Sequence, residues 1–442
     1  MSIPTLQGLQ TALSGLIAEQ TALDTTGNNI ANANTEGYSR ETALLEPNAP
    51  LDITALSTLT GDGAQLGTGV TVANITRIRN DYLDSQYRAQ NSALSGASTQ
   101  AEVLEQAQAA FNEPSSTSIA AQLSNFWTAW NNLANAPTSE EAKQAVVSAG
   151  EQLTSTFHQL SDELSAISGQ VEAQYQELTG AGGEVEDYAD QIAQLNTQIK
   201  LSEEAGQQPN EMLDERDELL DKLSALANIT VSEQPDHMDT VSFGDAAKPL
   251  VEGSTVNWPQ ALTETAGGKL GALLSLTGPK GALTGLQTGL DGVAEALASS
   301  VNEPLEALNP PANAFFAGTT AATLAVAVAS AEVQASGSDA PGGNEVALTI
   351  AALRGGAAES DYATLVVKLG SDVRGAESEE GNLQSTVTAI NDQRQSVSGV
   401  SLDEEMTNLI SFQRGYQASA RTLTAMDEML ETLIEHTGTS GL

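Results

Sequence analysis

Hydrophobic residues recur at helical spacing at both ends of the chain. Near the N-terminus the positions alternate at intervals of three and four, at Leu6, Leu9, Leu13, Leu16, Gln20, Leu23, Gly27 and Ile30. The C-terminal positions alternate in the same way, at Leu402, Met406, Leu409, Gln413, Tyr416, Ala420, Leu423, Asp427, Leu430 and Ile434. A helix places such positions in a single stripe, so the pattern predicts one long helix at each end of the chain.

An isolated helix cannot bury its own hydrophobic stripe, and it is only marginally stable in water. Each terminal helix therefore needs a partner, and the other terminal helix is available. We predict that a coiled coil forms between Leu6, Leu9, Leu13, Leu16, Leu23 and Ile30 on one side and Leu402, Met406, Leu409, Tyr416, Leu423 and Leu430 on the other. The alternative is that both are ordinary core helices of one globular bundle.

The segment NIANANTEGYSR, Asn29 to Arg40, follows the first stripe. Asparagine and glycine adopt turn and left-handed conformations at little cost, so Asn32, Asn34 and Gly37 are expected to end the helix and redirect the chain. A plain helix stop leaves Tyr38 without a role. We therefore assign these four residues to the turn and to contacts with neighbours.

The middle of the chain is predicted to be a set of long helices, which makes the fold mainly α. Breaks in the helical period predict short strands before residue 80, a β-hairpin near 229–251 and a small outer excursion at 309–341. The predicted domains are a terminal coiled-coil domain (1–83 and 401–442), a helical bundle (84–308 and 342–400) and the excursion.

Charge and composition narrow the function. The formal net charge is −41, which argues against a nucleic-acid partner or an anionic membrane surface. The chain has no cysteine, and no apolar run is long enough to insert into a membrane. The N-terminal residues lack the features of a cleaved signal peptide, so export would not use the general secretory route.

No pattern of residues predicts catalysis, a cofactor or a metal site. The histidines His158, His237 and His436 have no second ligand at suitable spacing. The glycine-rich stretch GDGAQLGTG fits neither a phosphate-binding loop nor a dinucleotide fingerprint. Pairs of carboxylates are expected by chance in a chain with 58 acidic residues. We do not expect an enzyme.

Several stretches of the chain carry a family resemblance. The segment LQTALSGLIAEQTALDTTGNNIANANTEGYSR resembles the N-terminal signature of the flagellar rod, hook and hook-associated proteins. The members that join hook to filament are similar in four further stretches, GTGVTVANITRIRNDYLDSQYR, NEMLDERDELLDKLSALANITVSEQ, GGKLGALLSL and SGVSLDEEMTNLISFQRGYQASARTLTAMDEMLETLI. The resemblance covers nearly the whole chain except roughly residues 309–343.

The resemblance implies a structural protein of the extracellular flagellum, exported unfolded by the flagellar type III apparatus and polymerised as a ring through its terminal helices. Its implied partners are further copies of itself, the hook protein, the second hook–filament junction protein and a dedicated export chaperone. The chaperone would recognise the C-terminal helix, at Leu402, Leu409, Leu423, Leu430 and Ile434. Two alternatives are a hook or distal-rod subunit of the same family and a secreted hydrolase with a flagellar tail.

Overall fold

Both ends of the chain form long helices, as the spacing predicts. In the computed structural model the described residues are 4–53, 64–308, 312–337 and 342–437. The first helix, α1, spans Pro4–Asn32, and the last helix, α11, spans Leu402–Thr437. These two helices pack along one another, and a small β-hairpin packs against α1.

Long helices also make up the middle of the chain, which confirms the mainly α fold. They are α2 (Asp81–Phe111), α3 (Ile119–Asn135), α4 (Glu140–Thr179), α5 (Glu184–Glu204), α6 (Asn210–Leu226), α7 (Gly268–Thr277), α8 (Ala282–Glu306), α9 (Glu345–Ala351) and α10 (Ala357–Ser398). Side-chain caps fix three of their N-termini, because Asn80, Ser118 and Ser139 accept from the first turns of α2, α3 and α4. None of the described helices combines the length and hydrophobicity that a membrane span requires.

The strands form small antiparallel sheets. Near the N-terminus β1 (Glu41–Pro47) pairs with β4 (Val70–Arg77), and β2 (Leu51–Ile53) pairs with β3 (Ala64–Leu66). A meander follows α6 and consists of β5 (Ile229–Ser232), β6 (Thr240–Phe243), β7 (Val251–Glu252) and β8 (Thr255–Val256). The predicted hairpin is thus confirmed as β5–β6, and the meander continues beyond its predicted end.

The core of the helical region contains an aromatic cluster. Phe126, Trp127 and Trp130 of α3 are fully buried, and α3 packs against α4. Phe126 and Trp130 contact Phe315, with ring centroids 5.6 Å and 5.5 Å apart. Residue 315 belongs to the segment that was expected to be an outer excursion.

The described part of that segment, 312–337, folds back onto the helices instead of projecting outward. Its short strands β9 (Phe316–Ala317) and β10 (Ala325–Val326) pair with each other. The side-chain amide of Asn302 in α8 holds the backbone of Phe316 through two hydrogen bonds of 2.8 and 3.0 Å. The segment therefore completes the core, because its two phenylalanines supply apolar surface that α3 and α4 leave uncovered.

We predict that Phe315→Ala lowers the free energy of unfolding by about 4 kcal/mol, because it removes a large side chain from a closed core. Urea denaturation measures the change. Leu348→Ala is the matched control, since Leu348 in α9 is 50% exposed and its loss should change stability by less than about 0.5 kcal/mol. Equal stability of the two variants would contradict the placement of the segment in the core.

Candidate functional site

The two terminal helices form one antiparallel pair. Positions brought face to face are Gly8 with Met426, Gly15 with Ser419, Glu19 with Gly415, and Asn29 with Glu405. In these pairs one residue number falls by as much as the other rises, so a single register runs along the whole contact. The helices approach closely at the glycines, since a Cβ on Gly15 would lie 3.2 Å from the Oγ of Ser419.

The line of contact lies one residue before the predicted leucine stripe on both helices. On α1 it follows Gly8, Ala12, Gly15, Glu19, Ala22, Thr26 and Asn29. On α11 it follows Glu405, Asn408, Phe412, Gly415, Ser419 and Met426. One residue corresponds to a rotation of about 100° around the helix axis. The predicted leucine-to-leucine pairing is therefore wrong in phase. Along the observed line a small residue on one helix often faces a larger one on the other, as Gly8 faces Met426 and Gly415 faces Glu19, and the axes can approach closely.

The predicted seam residues fall into two groups. Half-buried along the edge of the contact are Leu9, Leu16, Leu23, Ile30, Leu409, Tyr416, Leu423 and Leu430. Exposed to solvent are Leu13 at 45%, Leu402 at 51%, Met406 at 51% and Ile434 at 73%. The side chain of Leu6 lies outside the described residues. The pair thus leaves much of its aliphatic surface uncovered, and a role of these residues in assembly remains a prediction.

Asn29 connects the helix pair to the turn that follows α1. Its side-chain amide is buried and donates to the carbonyl oxygen of Glu41 at 2.9 Å and to the carboxylate of Glu405 at 3.1 Å. Its side-chain oxygen accepts from the backbone N–H of Glu41 and from the hydroxyl of Tyr38, both at 2.9 Å. All four hydrogen-bonding positions of the side chain are used, so Asn29 joins α1, β1 and α11 at one point.

The four residues assigned to the turn have different environments. Asn34 is exposed, whereas Asn32 donates back to Asn28 at the end of α1. Gly37 has a φ of +80° and lies against Glu218 of α6, where a Cβ would have little room. Tyr38 is half-buried and bonds within its own chain. Burial, reinforced by nearby carboxylates, raises the pKa of the Tyr38 hydroxyl. A contact of these residues with neighbours remains a prediction.

A cluster of buried ion pairs lies immediately beyond this turn, where the terminal region meets the helical bundle. Its cationic members come from β4, the β4–α2 connection, α2 and α10, and its acidic members come from α2 and α6. The cluster consists of Arg77, Arg79, Arg88, Arg394, Asp84, Asp214, Asp217 and Asp221. All eight side chains are 20% exposed or less, and the positive and negative charges balance. We call this group the Arg–Asp cluster.

Several bonds attach the terminal region to the Arg–Asp cluster. The backbone N–H and hydroxyl of Ser39, directly after the turn, donate to the carboxylate of Asp214 at 2.9 and 2.6 Å. Arg77 donates to Asp214 at 2.6 Å and to Asp217 at 3.0 Å. On the C-terminal side Arg394 donates to Asp84 and Asp221, and its guanidinium lies 4.2 Å from the ring centroid of Tyr87. Both chain ends therefore leave the bundle through the same group of charges.

Asp217 shows the electrostatic balance of the cluster. Burial alone would raise the pKa of its carboxyl group, but the guanidinium groups of Arg79, Arg88 and Arg77 lower the pKa to about 2. The ordinary value is 3.8, so folding favours the ionised form. Coulombic attraction thus exceeds the desolvation penalty at this position.

The sequence contained a signal for this cluster that our prediction did not use. Asp214, Asp217 and Asp221 lie at intervals of three and four in LDERDELLDKL, so a helix places them on one face. The chain has only 17 basic residues, and Arg77, Arg79 and Arg88 fall within a short stretch. Such a concentration of basic residues in an acidic chain indicates ion pairing. No comparable signal identifies Asn29 as the residue that joins α1, β1 and α11, since asparagine also occurs in plain turns.

The cleft beside the turn and the described histidines are the remaining candidates for chemistry. A polar cleft of about 820 Å³ lies between the turn and the ends of α10 and α11, and Asn34, Lys222 and Gln395 are among its lining residues. In the described ranges no group of three or more histidine, aspartate or glutamate side chains could hold a metal ion. The ring Nε2 of His158 donates to the carbonyl oxygen of Leu324, and His237 pairs with Glu203. These contacts stabilise the fold.

Comparison with protein families gives three matches along the chain. The Flagella basal body rod protein family matches residues 9–38, and the C-terminal family of the flagellar basal body rod FlgEFG proteins matches residues 392–435. The helical domain of the flagellar hook-associated protein FlgK matches residues 104–264. The first two matches cover the helix pair, and the third covers much of the bundle.

Individual proteins are similar over different lengths. Flagellar hook-associated protein 1 of Bacillus subtilis (strain 168) is 29% identical, over 99% of both chains. The protein of that name from Escherichia coli (strain K12) is 30% identical over 58% of this chain and 45% of its own length, and that of Salmonella typhimurium is 32% identical over 58% and 44%. A solved structure of the flagellar hook junction protein FlgK from Burkholderia pseudomallei aligns with a TM-score of 0.47 and 25% identity, over 53% of this chain and 46% of that one.

We predict that Asp217→Asn lowers the free energy of unfolding by about 3 kcal/mol, because three guanidinium groups lose a buried carboxylate. Urea denaturation at pH 7 measures the loss, and Asp162→Asn on the exposed face of α4 is the control. Since the folded-state pKa of Asp217 is below the ordinary value, its contribution is present above about pH 4 and is lost as the pH falls toward 2. The variant should lack this component of the pH profile, and identical profiles would contradict the assignment.

We predict that Asn29→Ala loosens the end of α1, because the Glu41 N–H loses its acceptor and the Glu405 carboxylate loses a donor. The local cost should be about 2 kcal/mol. Hydrogen exchange of the Glu41 amide measures it directly, and Asn34→Ala, at an exposed position of the same turn, should leave that exchange rate unchanged. Unaltered protection of the Glu41 amide in Asn29→Ala would show that the Asn29 side chain does not hold α1, β1 and α11 together.

Proposed function

Because the chain belongs to the hook-associated protein 1 family of flagellar axial proteins, we propose that it is a structural component of the flagellum that joins the hook to the filament. The role is mechanical: the protein forms a layer of subunits between two different tubular polymers. Its curated relatives carry the name of a hook-associated protein and not of an enzyme, and they support this role.

The observation that carries the proposal is the unused aliphatic surface of the terminal helix pair. Leu13 and Ile17 of α1 are 45% and 53% exposed, and Met406 and Ile410 of α11 are 51% and 46% exposed. Two long helices already paired through small residues still present apolar stripes to solvent, which is typical of surfaces that another chain covers. We propose that further copies of the protein cover them.

Copies arranged around a common axis would bring these stripes together. A helix pair parallel to the axis keeps its direction under rotation, so every copy would present the same two stripes to its neighbours. The pairs would then line the inside of the tube, and the bundle of α2 to α10 would form the next layer outward. The Arg–Asp cluster would set the angle between these two layers in each subunit.

A hook or distal-rod subunit of the same family is the second candidate. The terminal matches are shared with rod proteins, so they do not separate the two functions. The match of residues 104–264 to the helical domain of FlgK favours the junction protein, because this region supplies α3 to α6 and the strand meander.

We propose further that the protein is exported unfolded by the flagellar type III apparatus to the extracellular junction, without a cleaved signal peptide. Before export a chaperone would cover the C-terminal helix, where Leu402 and Ile434 are exposed along with half-buried Leu409, Leu423 and Leu430. After export the hook protein and the second junction protein would be its axial neighbours. A helix whose hydrophobic residues remain accessible suits both the chaperone and the final assembly.

We expect cells that lack this gene to make hooks without filaments and to release flagellin into the medium, because export continues while the base of the filament is missing. Electron microscopy and a blot of the medium test this. Missing hooks would assign the protein to the rod or hook, and normal filaments would refute a role in the flagellar axis.

In the same strain, Leu13→Asp should fail to restore filaments although the variant is stable and exported, because a charge replaces part of the exposed stripe. Val367→Asp is the matched control, since Val367 is 68% exposed on α10, far along the chain from the terminal pair. Normal incorporation of Leu13→Asp would contradict the role of the stripe.

A further inference from the structure

Two arginines of α11, Arg414 and Arg421, are of interest because basic residues are scarce in this acidic chain. Arg40, Arg77, Arg79, Arg88, Arg216 and Arg394 all form ion pairs. Arg354 and Arg374 form no ion pair among the described residues, but Arg354 donates to the hydroxyl of Ser124 and Arg374 to the carbonyl oxygen of Gly370. Arg414 and Arg421 are exposed and likewise form no ion pair with any residue that the structure describes. Arg421 donates only to the carbonyl oxygen of Gln417, one turn earlier. With 58 acidic residues against 17 basic ones, free guanidinium groups are the scarce charge on this surface.

These arginines lie on the face of α11 that points away from α1. The exposed stripe there consists of Thr407, Ile410, Arg414, Gln417, Arg421, Ala425 and Glu428. The corresponding outward stripe of α1 consists of Gln10, Leu13, Ile17, Gln20, Asp24, Gly27 and Ala31. The α1 stripe carries one charge, on Asp24, and Asp24 forms no ion pair among the described residues. One stripe thus offers a carboxylate and the other offers guanidinium groups.

We propose that the outward stripe of α1 in one copy docks on the outward stripe of α11 in the next copy, with an ion pair between Asp24 and Arg414. This inference rests on the proposed assembly of copies around an axis and names the contact that selects the neighbour. Charge complementarity identifies the partner of the α1 stripe as the α11 stripe of a second copy, because most other surfaces of this acidic chain would repel Asp24.

The direction of docking follows from symmetry. Rotation about an axis parallel to the helices, combined with a rise along that axis, preserves their direction, so α1 of one copy runs antiparallel to α11 of the next, as it does within a copy. When Asp24 is placed opposite Arg414, successive heptads place Ile17 opposite Arg421 and Gln10 opposite Glu428. The aliphatic stem of Arg421 can then cover Ile17 while its charged end reaches solvent. Leu13 falls opposite the small residue Ala425.

Other alignments fit less well. Placing Asp24 opposite Arg421 brings Ile17 against the carboxylate of Glu428, which removes hydration from an acid without compensation. A parallel arrangement could also match charges, but axial symmetry excludes it. The chosen alignment also differs from the register within one copy, where the same line of contact places residue 410 opposite residue 24. The difference of four residues implies that neighbouring copies are staggered by roughly 6 Å along the axis.

A charge-swap series in the full-length protein tests the proposal. The deletion strain is complemented with wild type, Asp24→Arg, Arg414→Asp and the double variant, and the protein in purified flagella is compared with the exported protein in the medium. Each single variant should be incorporated at least about tenfold less efficiently, and the double variant should recover to within about threefold of wild type. All the positions are exposed, so circular dichroism of the purified variants should be unchanged.

Arg374→Asp is the matched control, because Arg374 is exposed on α10, contacts only its own helix and gives the same change of charge. Wild-type incorporation of both single variants would overturn the ion pair, and so would defects that the double variant fails to repair. If Leu13→Asp still blocks assembly in that case, the proposed function stands without this contact. Filaments in the uncomplemented deletion strain would instead refute the proposed function itself.

Discussion

The fold depends on the Arg–Asp cluster, where charge has been taken out of water to join two parts of the molecule. Ser39 and Arg77 reach it from the N-terminal region, Arg394 from the end of α10, and α6 supplies most of the carboxylates. A buried ion pair contributes little net stability compared with apolar packing, but it tolerates very few geometries. The cluster therefore defines where the terminal helix pair leaves the bundle, which apolar contacts alone would specify less sharply.

The need to pair buried charges also explains how a chain of net charge −41 distributes its few basic side chains. Most arginines lie inside ion pairs that connect separate segments, such as Arg40 with Glu405 and Arg216 with Asp239. The surface is left strongly acidic, which keeps copies apart in solution. Association then requires specific sites where this repulsion is absent. Acidic residues are sparse along α1, which makes this helix such a site.

The sequence predicted the elements well and their orientation poorly. Alternating intervals of three and four identify the helices α1 and α11, but a stripe of leucines and a stripe of small residues one position earlier have the same period. Leucines indicated the wrong contact line because hydrophobicity was the only criterion, whereas glycines such as Gly15 and Gly415 allow closer backbone approach. The role of Phe315 was missed for a related reason, since a short apolar pair between prolines and glycines has no period.

Within the site, the residues that could be predicted were those whose side chains have few alternative roles. Arginines near one another and aspartates at helical spacing indicate an ion-pair cluster, whereas one asparagine among several cannot be singled out. Asn29 differs from Asn32 in its phase on α1, which turns Asn29 toward β1 and α11, whereas Asn34 lies beyond the end of the helix. The phase of α1 thus has three consequences together: it buries Asn29, it brings small residues against α11, and it leaves Leu13, Ile17 and Asp24 facing outward. A rotation of α1 by one residue would lose all three, so the hydrogen bonds of Asn29 and the outward stripe of α1 depend on the same helix orientation.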